Sequence, residues 1–326
     1  VISTARRLTL IELLLVLFIL SAVAASAASF VEKADDQLRY DDTKQRVRAL
    51  RSAVLGEASG ELRDRRAGFV ADMGRLPASL SELLERGALP AYALDPPGLL
   101  GAAPPTGLGF GWRGSYLASL PRADGTQAYP DGWSNPALAA DPPGSSGWAW
   151  QADDAAGSLV ARSRGRGGQD DGATPPADLY ARDYPAGDLV LSDDHRLDLH
   201  GWRVQVRVDG SAALRTVRLR LRYFAYEAGV ATQVALVSQA IPVPAGNVDP
   251  LEAHFDFGGQ RFVPWGAKAL DLVDEPAASP AAADLIYLGP GNGPVFAPSA
   301  GSSPQRVELF PRATLPTALP LRWKLP

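Results

Sequence analysis

One run of residues governs what this chain can fold into: Leu8 to Phe30, LTLIELLLVLFILSAVAASAASF, apolar throughout except for Glu12 and a few small hydroxyls. At about 1.5 Å of rise per residue, a helix of that length crosses the ~30 Å hydrocarbon layer of a bilayer. The run therefore predicts a transmembrane helix over 8–30, preceded by a short leader-like segment, 1–7. Arg6 and Arg7 stand before it, whereas Glu32, Asp35 and Asp36 follow it with only Lys33 between. The positive-inside bias then puts the N-terminus in the cytoplasm and nearly all of the 326 residues on the far side.

Glu12 is the anomaly within this span. An ionised carboxylate there costs roughly 2.5 to 3.5 kcal/mol on insertion scales, so it is snorkelled to the headgroups, paired, protonated or functional. Its setting, Leu8-Thr9-Leu10-Ile11-Glu12-Leu13-Leu14-Leu15-Val16-Leu17, resembles the N-terminal signature of type IV pilins and type II secretion pseudopilins. In that family a hydrophobic residue begins the mature chain and Glu is its fifth residue. The resemblance implies cutting between Arg7 and Leu8 by the prepilin peptidase and methylation of the new amine. It also implies that Glu12 pairs with the amine of a neighbouring pilin or pseudopilin subunit as a filament assembles. The family has Gly before the cut where this chain has Arg7. An uncut chain would keep its anchor in the inner membrane with its other domains in the periplasm.

Composition narrows the remaining classes. A net charge of -4 supplies no overall basic field, so nucleic acid is not an expected partner. Cysteine is absent, which removes disulfides, thiolate metal sites and thiol nucleophiles. With 32 Gly and 28 Pro, the chain should be rich in turns and strands outside its first third. Ala25-Ser26-Ala27 has the look of a secretory cleavage site, but the apolar run is long for a signal core and Glu12 is foreign to one.

After the span, Val31, Ala34, Leu38, Val47, Leu50, Val54 and Leu55 recur at helical steps, and the charged pattern resumes from Glu61 to Asp72. One long helix, half in the membrane and half on a head domain, is the simplest expectation. Ser79 and Glu82 have capping-box spacing for a short helix, and Asp95 to Gly107 reads as a loop. Gly111-Trp112-Arg113-Gly114-Ser115-Tyr116-Leu117 and Asp131-Gly132-Trp133-Ser134-Asn135-Pro136 resemble phrases of the major pseudopilin. Their aromatics are expected to pack a small sheet on the helix, with a sugar-binding cluster as the rival reading. The family's loop also holds calcium. By that resemblance Asp170, Asp171 and Asp178 could supply carboxylates, although Arg164 and Arg166 lie among them; the alternative is a solvated acidic loop and no cofactor.

From about Asp188 the period changes to two. Leu197, Leu199, Trp202, Val204, Val206 and Val208, then Val217, Leu219, Leu221, Tyr223 and Ala225, alternate with polar residues. Further short runs at 232–243, 253–257, 267–273, 285–288, 306–310 and 319–325 suggest an antiparallel sandwich. Arg218, Arg220 and Arg222 fall on one face of a strand, with Arg203 and Arg207 on a possible neighbour, which reads as a solvated face or a stripe for an acidic partner. His195, Asp198 and His200 are close in sequence, but without a known ligand spacing.

The expectation is an α+β protein. A long N-terminal transmembrane and amphipathic helix packs on a small antiparallel sheet in pilin-like fashion over 31–180, and an antiparallel β-sandwich follows over 181–326. The expected role is a non-enzymatic pilin-like subunit of a type II secretion pseudopilus or type IV pilus, minor or tip-proximal because the extra domain hinders dense repetition. The alternative is a permanently membrane-anchored binding module whose sandwich recognises a glycan or a protein.

Overall fold

The computed structural model describes residues 10–57, 66–100, 105–121, 123, 125–171, 175–184, 188–210, 213–274, 286–287, 305–309 and 314–325. It begins with α1 (Leu10–Leu55), a single helix of 46 residues, about 69 Å long at the standard rise. No Gly or Pro interrupts it. In its apolar half, Ser21 and Ser26 turn their hydroxyls back onto the Phe18 and Ala22 carbonyls. Such bonds let a hydroxyl sit among apolar side chains without an unmet donor. In its charged half, Asp35 with Arg39 and Asp42 with Arg46 close ion pairs across one turn at 2.8 Å. The helix is long and apolar enough to cross a bilayer, and none of its most apolar window is buried by the rest of the protein.

The helix stops earlier than its charge pattern predicts. Gly56, at φ 79°, turns the chain out at Leu55. Strand β1 (Gly56–Glu57) pairs with β2 (Arg66–Ala67), and a separate short helix, α2 (Phe69–Met73), lies back against α1. Gly68 makes the return possible, because a Cβ there would lie 2.1 Å from the Gly56 nitrogen. Val31 and Leu38, expected in the packed stripe, are exposed; contact with the body is made by Thr43, Leu50, Ala53 and Val54.

Helix α3 (Ser81–Leu84) is not held by the expected capping box. Ser79 pairs with the Ser81 hydroxyl, while Glu82 takes a two-pronged bond from Arg75 and accepts from the Ala78 N–H. Pairs β3 (Ala93–Leu94) with β4 (Gly109–Phe110) and β5 (Leu120–Pro121) with β6 (Gln127–Ala128) follow. The head sheet is β7 (Trp148–Asp153), β8 (Ser158–Ser163) and β9 (Asp188–Val190), all antiparallel. Strand β9 lies beyond residue 180 and still completes this sheet.

A short helix α4 (Ser192–His195) leads into β10 (Arg196–Asp198), β11 (Arg203–Asp209), β12 (Arg215–Glu227), β13 (Val230–Val237), β14 (Ile241–Val243) and β15 (Pro250–His254). Then come β16 (Phe262–Pro264), β17 (Gly266–Asp274), β18 (Ile286–Tyr287), β19 (Gln305–Leu309) and β20 (Ala318–Lys324). One sheet runs β15-β11-β20; a larger one runs β13-β12-β17-β18, with β14 on β12 and β19 on β17. All these pairs are antiparallel except β11 with β20. Val204, Val206 and Val208 of the first sheet and Val217, Leu219 and Leu221 of the second are buried in the same core. That core is continuous with Leu50 and Val54 of α1, so the head and the strand-rich part share one apolar interior.

The two parts are also tied by polar contacts. Arg51 of α1 bonds the Leu189 carbonyl and pairs with Asp194 at 2.9 Å. Arg196 donates to the Asp154 and Ala155 carbonyls at the tip of the β7–β8 hairpin, and the buried His195 places Nε2 3.0 Å from the Gly157 carbonyl. Its Nδ1 is buried with no hydrogen-bond partner among the described residues. Burial lowers the His195 pKa from its ordinary 6.5, so the fold holds the neutral ring. The unfolded chain therefore binds more protons below about pH 6.5, and this contribution to stability is complete above that pH and lost as the pH falls through the lowered value. Urea unfolding of the full chain in detergent at pH 7.5 and 5 should show this loss, with a slope of at most about 1.4 kcal/mol per pH unit. His195→Gln should flatten that slope; an unchanged slope would refute the assignment.

Candidate functional site

The functional candidates converge on α1. Its outer half presents Leu10, Ile11, Leu13, Leu14, Leu17, Phe18 and Phe30 to the surroundings, each more than half exposed. Glu12 is exposed in the first turn of this half. Arg7 and Leu8, the expected processing pair, lie outside the described residues.

The inner half of α1 is clasped by two loops. In the first, Asp131 is 1 % exposed and organises its own turn. Its carboxylate accepts from the Trp133 and Asn135 N–H groups, the Asn135 amide and, at 2.5 Å, the Ser163 hydroxyl. The Asn135 amide also donates to the Gly165 carbonyl, which joins the second loop to the first. Gly132 rests on α1: its N–H donates to Thr43 Oγ1, and a Cβ there would lie 2.2 Å from the Arg39 carbonyl oxygen. Arg46 donates to the Pro130 carbonyl, and the Tyr129 hydroxyl reaches the Arg46 carbonyl.

The aromatics of the two singled-out phrases divide between two jobs. Trp133 packs on Tyr180, which with Tyr184 flanks Tyr40 of α1. Trp112 donates to the Glu82 carbonyl and meets Tyr116 edge-on. Arg113 and the Tyr116 hydroxyl both bond the buried Asp72, at 2.8 and 3.0 Å. Burial raises the Asp72 pKa, and the Arg113 charge only partly offsets it.

The three carboxylates proposed for calcium are not gathered on a common point. Asp170 bonds Arg164 Nε at 2.9 Å, Asp178 pairs with Arg166, and Asp171 accepts from the Asp183 N–H at 2.8 Å. Arg164 is 2 % exposed. Its guanidinium also takes both oxygens of Asp141, at 2.5 and 2.9 Å, and the Gly147 carbonyl at 3.1 Å. Burial pulls the Asp141 pKa upward, but the bonds from Arg164 and the Leu138 N–H outweigh it and leave it lowered. Arg166 bridges Asp178 to Asp36 of α1, at 2.6 Å from the latter. Calcium seeks six to eight oxygens with carboxylates to balance its charge, and a loop whose oxygens already face two guanidiniums does not fit it. Among the described residues, no three His, Cys, Asp or Glu side chains group closely enough to hold a metal ion.

The other sequence candidates separate. His195 faces Gly157, whereas His200 is exposed, with Nδ1 3.8 Å from Asp256. The arginine row is not a solvated stripe: Arg220 and Arg222 are 4 % and 1 % exposed and share Asp271 of β17, and Arg218 donates to the Ser238 carbonyl. Arg203 and Arg207 lie on β11, in the other sheet. Asp141, which the sequence does not single out, and Asp36, which it shows only as one of the charges flanking the span, complete the arginine clasp. The only sequence signal for them was an unexplained pair of cations inside an acidic loop.

No family model matches the chain, and neither a curated protein nor a solved structure matches it.

Proposed function

We propose that this chain is a structural, non-enzymatic subunit of the pilin and pseudopilin type, assembled through α1 into a type II secretion pseudopilus or a type IV pilus. The observation that carries this reading is the division of α1 into an apolar half that no described residue buries and a charged half whose later turns are held by the body. A helix so divided suits extraction from the inner membrane into a bundle, where apolar packing replaces lipid contact. Glu12 is the assembly residue, pairing with the amine of a neighbouring Leu8 after the prepilin peptidase has cut behind Arg7. The head then packs on the helix in pilin-like fashion, the two C-terminal sheets form a periplasmic β-sandwich, and the added bulk suits a minor or tip-proximal position.

Filaments co-purified from cells carrying Glu12→Ala should contain about tenfold less subunit or lower, the effect of losing roughly 1.4 kcal/mol at each contact. Unchanged incorporation would remove the assembly role.

A second reading, a permanently anchored binding module, is favoured by Arg7 in place of the family's Gly. It also draws on a shallow cavity of about 270 Å³ lined by Gln205, Arg207, Pro250, Ala318 and Leu319 on the β15-β11-β20 sheet. Mass spectrometry of the mature N-terminus separates the two: a chain beginning at methylated Leu8 supports the filament, and an intact Arg7–Leu8 bond supports the anchor.

A further inference from the structure

We infer that the loop following β8 carries its own cation, the Arg164 guanidinium, in the place where the resemblance implies a bound calcium ion, so that its closure does not depend on any divalent metal. The inference rests on the side-chain geometry and stands whether or not the chain enters a filament.

The oxygens around Arg164 describe a built site for a fixed planar cation. Asp141 approaches end-on with both oxygens, Asp170 takes the Nε edge, and the Gly147 carbonyl accepts from Nη1. A guanidinium presents its donors in a rigid fork that matches such a set, which a spherical ion does not require. Asp141 and Gly147 lie before β8 and Asp170 after it, so one side chain ties the loop to the segment that leads into β7. Neither Asp141 nor Gly147 belongs to the carboxylate set the resemblance implied.

Glycines complete the arrangement. Gly165 and Gly168 sit at φ 54° and 65°, and a Cβ on Gly165 would lie 2.2 Å from the Arg182 carbonyl oxygen. The chain therefore doubles back tightly around the Arg164 stem and brings Arg166 over Asp36 of α1. Arg164 is the buried lock on the head, and Arg166 is the exposed strap onto the helix. Salt should weaken the strap and leave the lock intact, because screening acts on exposed pairs far more than on buried ones.

The test is thermal unfolding of the full chain in detergent, in millimolar calcium and in excess chelator. The expected result is midpoints that agree within about 1 °C, since a ligand held at a hundred times its Kd would shift a protein of this size by about 4 °C. Asp141→Asn should lower the midpoint by about 2 to 4 °C, and Asp171→Asn and Asp178→Asn each by about 1 °C or less. Stabilisation of the unaltered protein by calcium would overturn the inference. So would the reverse order among the variants, with Asp171 and Asp178 costly and Asp141 not. The calcium comparison needs no variant to fold.

Discussion

Asp271→Ala is expected to cost about 3 to 5 kcal/mol of folding stability, the range measured when one partner of a buried ion pair is removed. Asp271 is fully buried on β17, opposite Arg220 in the register of β12, and takes bonds from Arg220 at 3.2 Å and from Arg222 at 2.6 and 3.1 Å. Without the carboxylate, both guanidiniums lose the anion they share inside the protein. Urea unfolding of the full chain in detergent should show the loss as a lower midpoint with little change in slope. Replacing Arg220, Arg222 and Asp271 together by apolar residues of similar volume should recover most of it, because the pair's attraction is largely offset by desolvation. A mild single-variant effect would mean that the shared carboxylate is not what holds these charges in the interior.

Trp148→Ala is the second large effect, about 3 to 5 kcal/mol from lost burial and the cavity left behind. Trp148 is 0 % exposed, and its indole N–H donates to the Tyr129 carbonyl at 2.8 Å. Tyr129 in turn reaches α1 through Arg46, so the loss spreads from the head sheet to the helix clasp. Trp133→Ala provides the comparison. Its ring is half-buried against Tyr180 rather than enclosed, and its removal should cost clearly less. Equal costs for the two tryptophans would defeat the argument from burial. Thermal unfolding of both variants side by side decides it.

The two tryptophans also mark how far the sequence could be read. Trp133 stood out in its phrase of aromatic and turn residues, and its neighbourhood on the helix clasp follows from that phrase. Trp148 attracted no attention, because nothing local distinguishes a side chain that ends at the centre of a core. The strands from Arg203 to Lys324 were legible because alternation has a period of two and needs no knowledge of the partner strand. Strand β16 was missed, since three residues are too few to show a period. The end of α1 was misjudged for the opposite reason: charge and spacing continued past Leu55, but one glycine in the left-handed region was enough to turn the chain.

The site divides in the same way. The order of residues alone dictated a membrane-length apolar helix with one carboxylate near its start, because hydrophobic length and a single misplaced charge are properties of a string. It likewise dictated that strands would follow and that no thiol chemistry was available. Three-dimensional packing alone decided the partners of the clasp and core arginines. Arg164 met Asp141, Arg166 met Asp36, and Arg220 and Arg222 met Asp271 across separations that no local pattern encodes. A long-range ion pair is a matter of a few ångströms in space, and, unlike the one-turn pairs of α1, its members carry no trace of each other along the chain. That is why a loop that reads as solvated acids or an ion's cradle gives no sign that Asp141 and Asp36 close it on arginine.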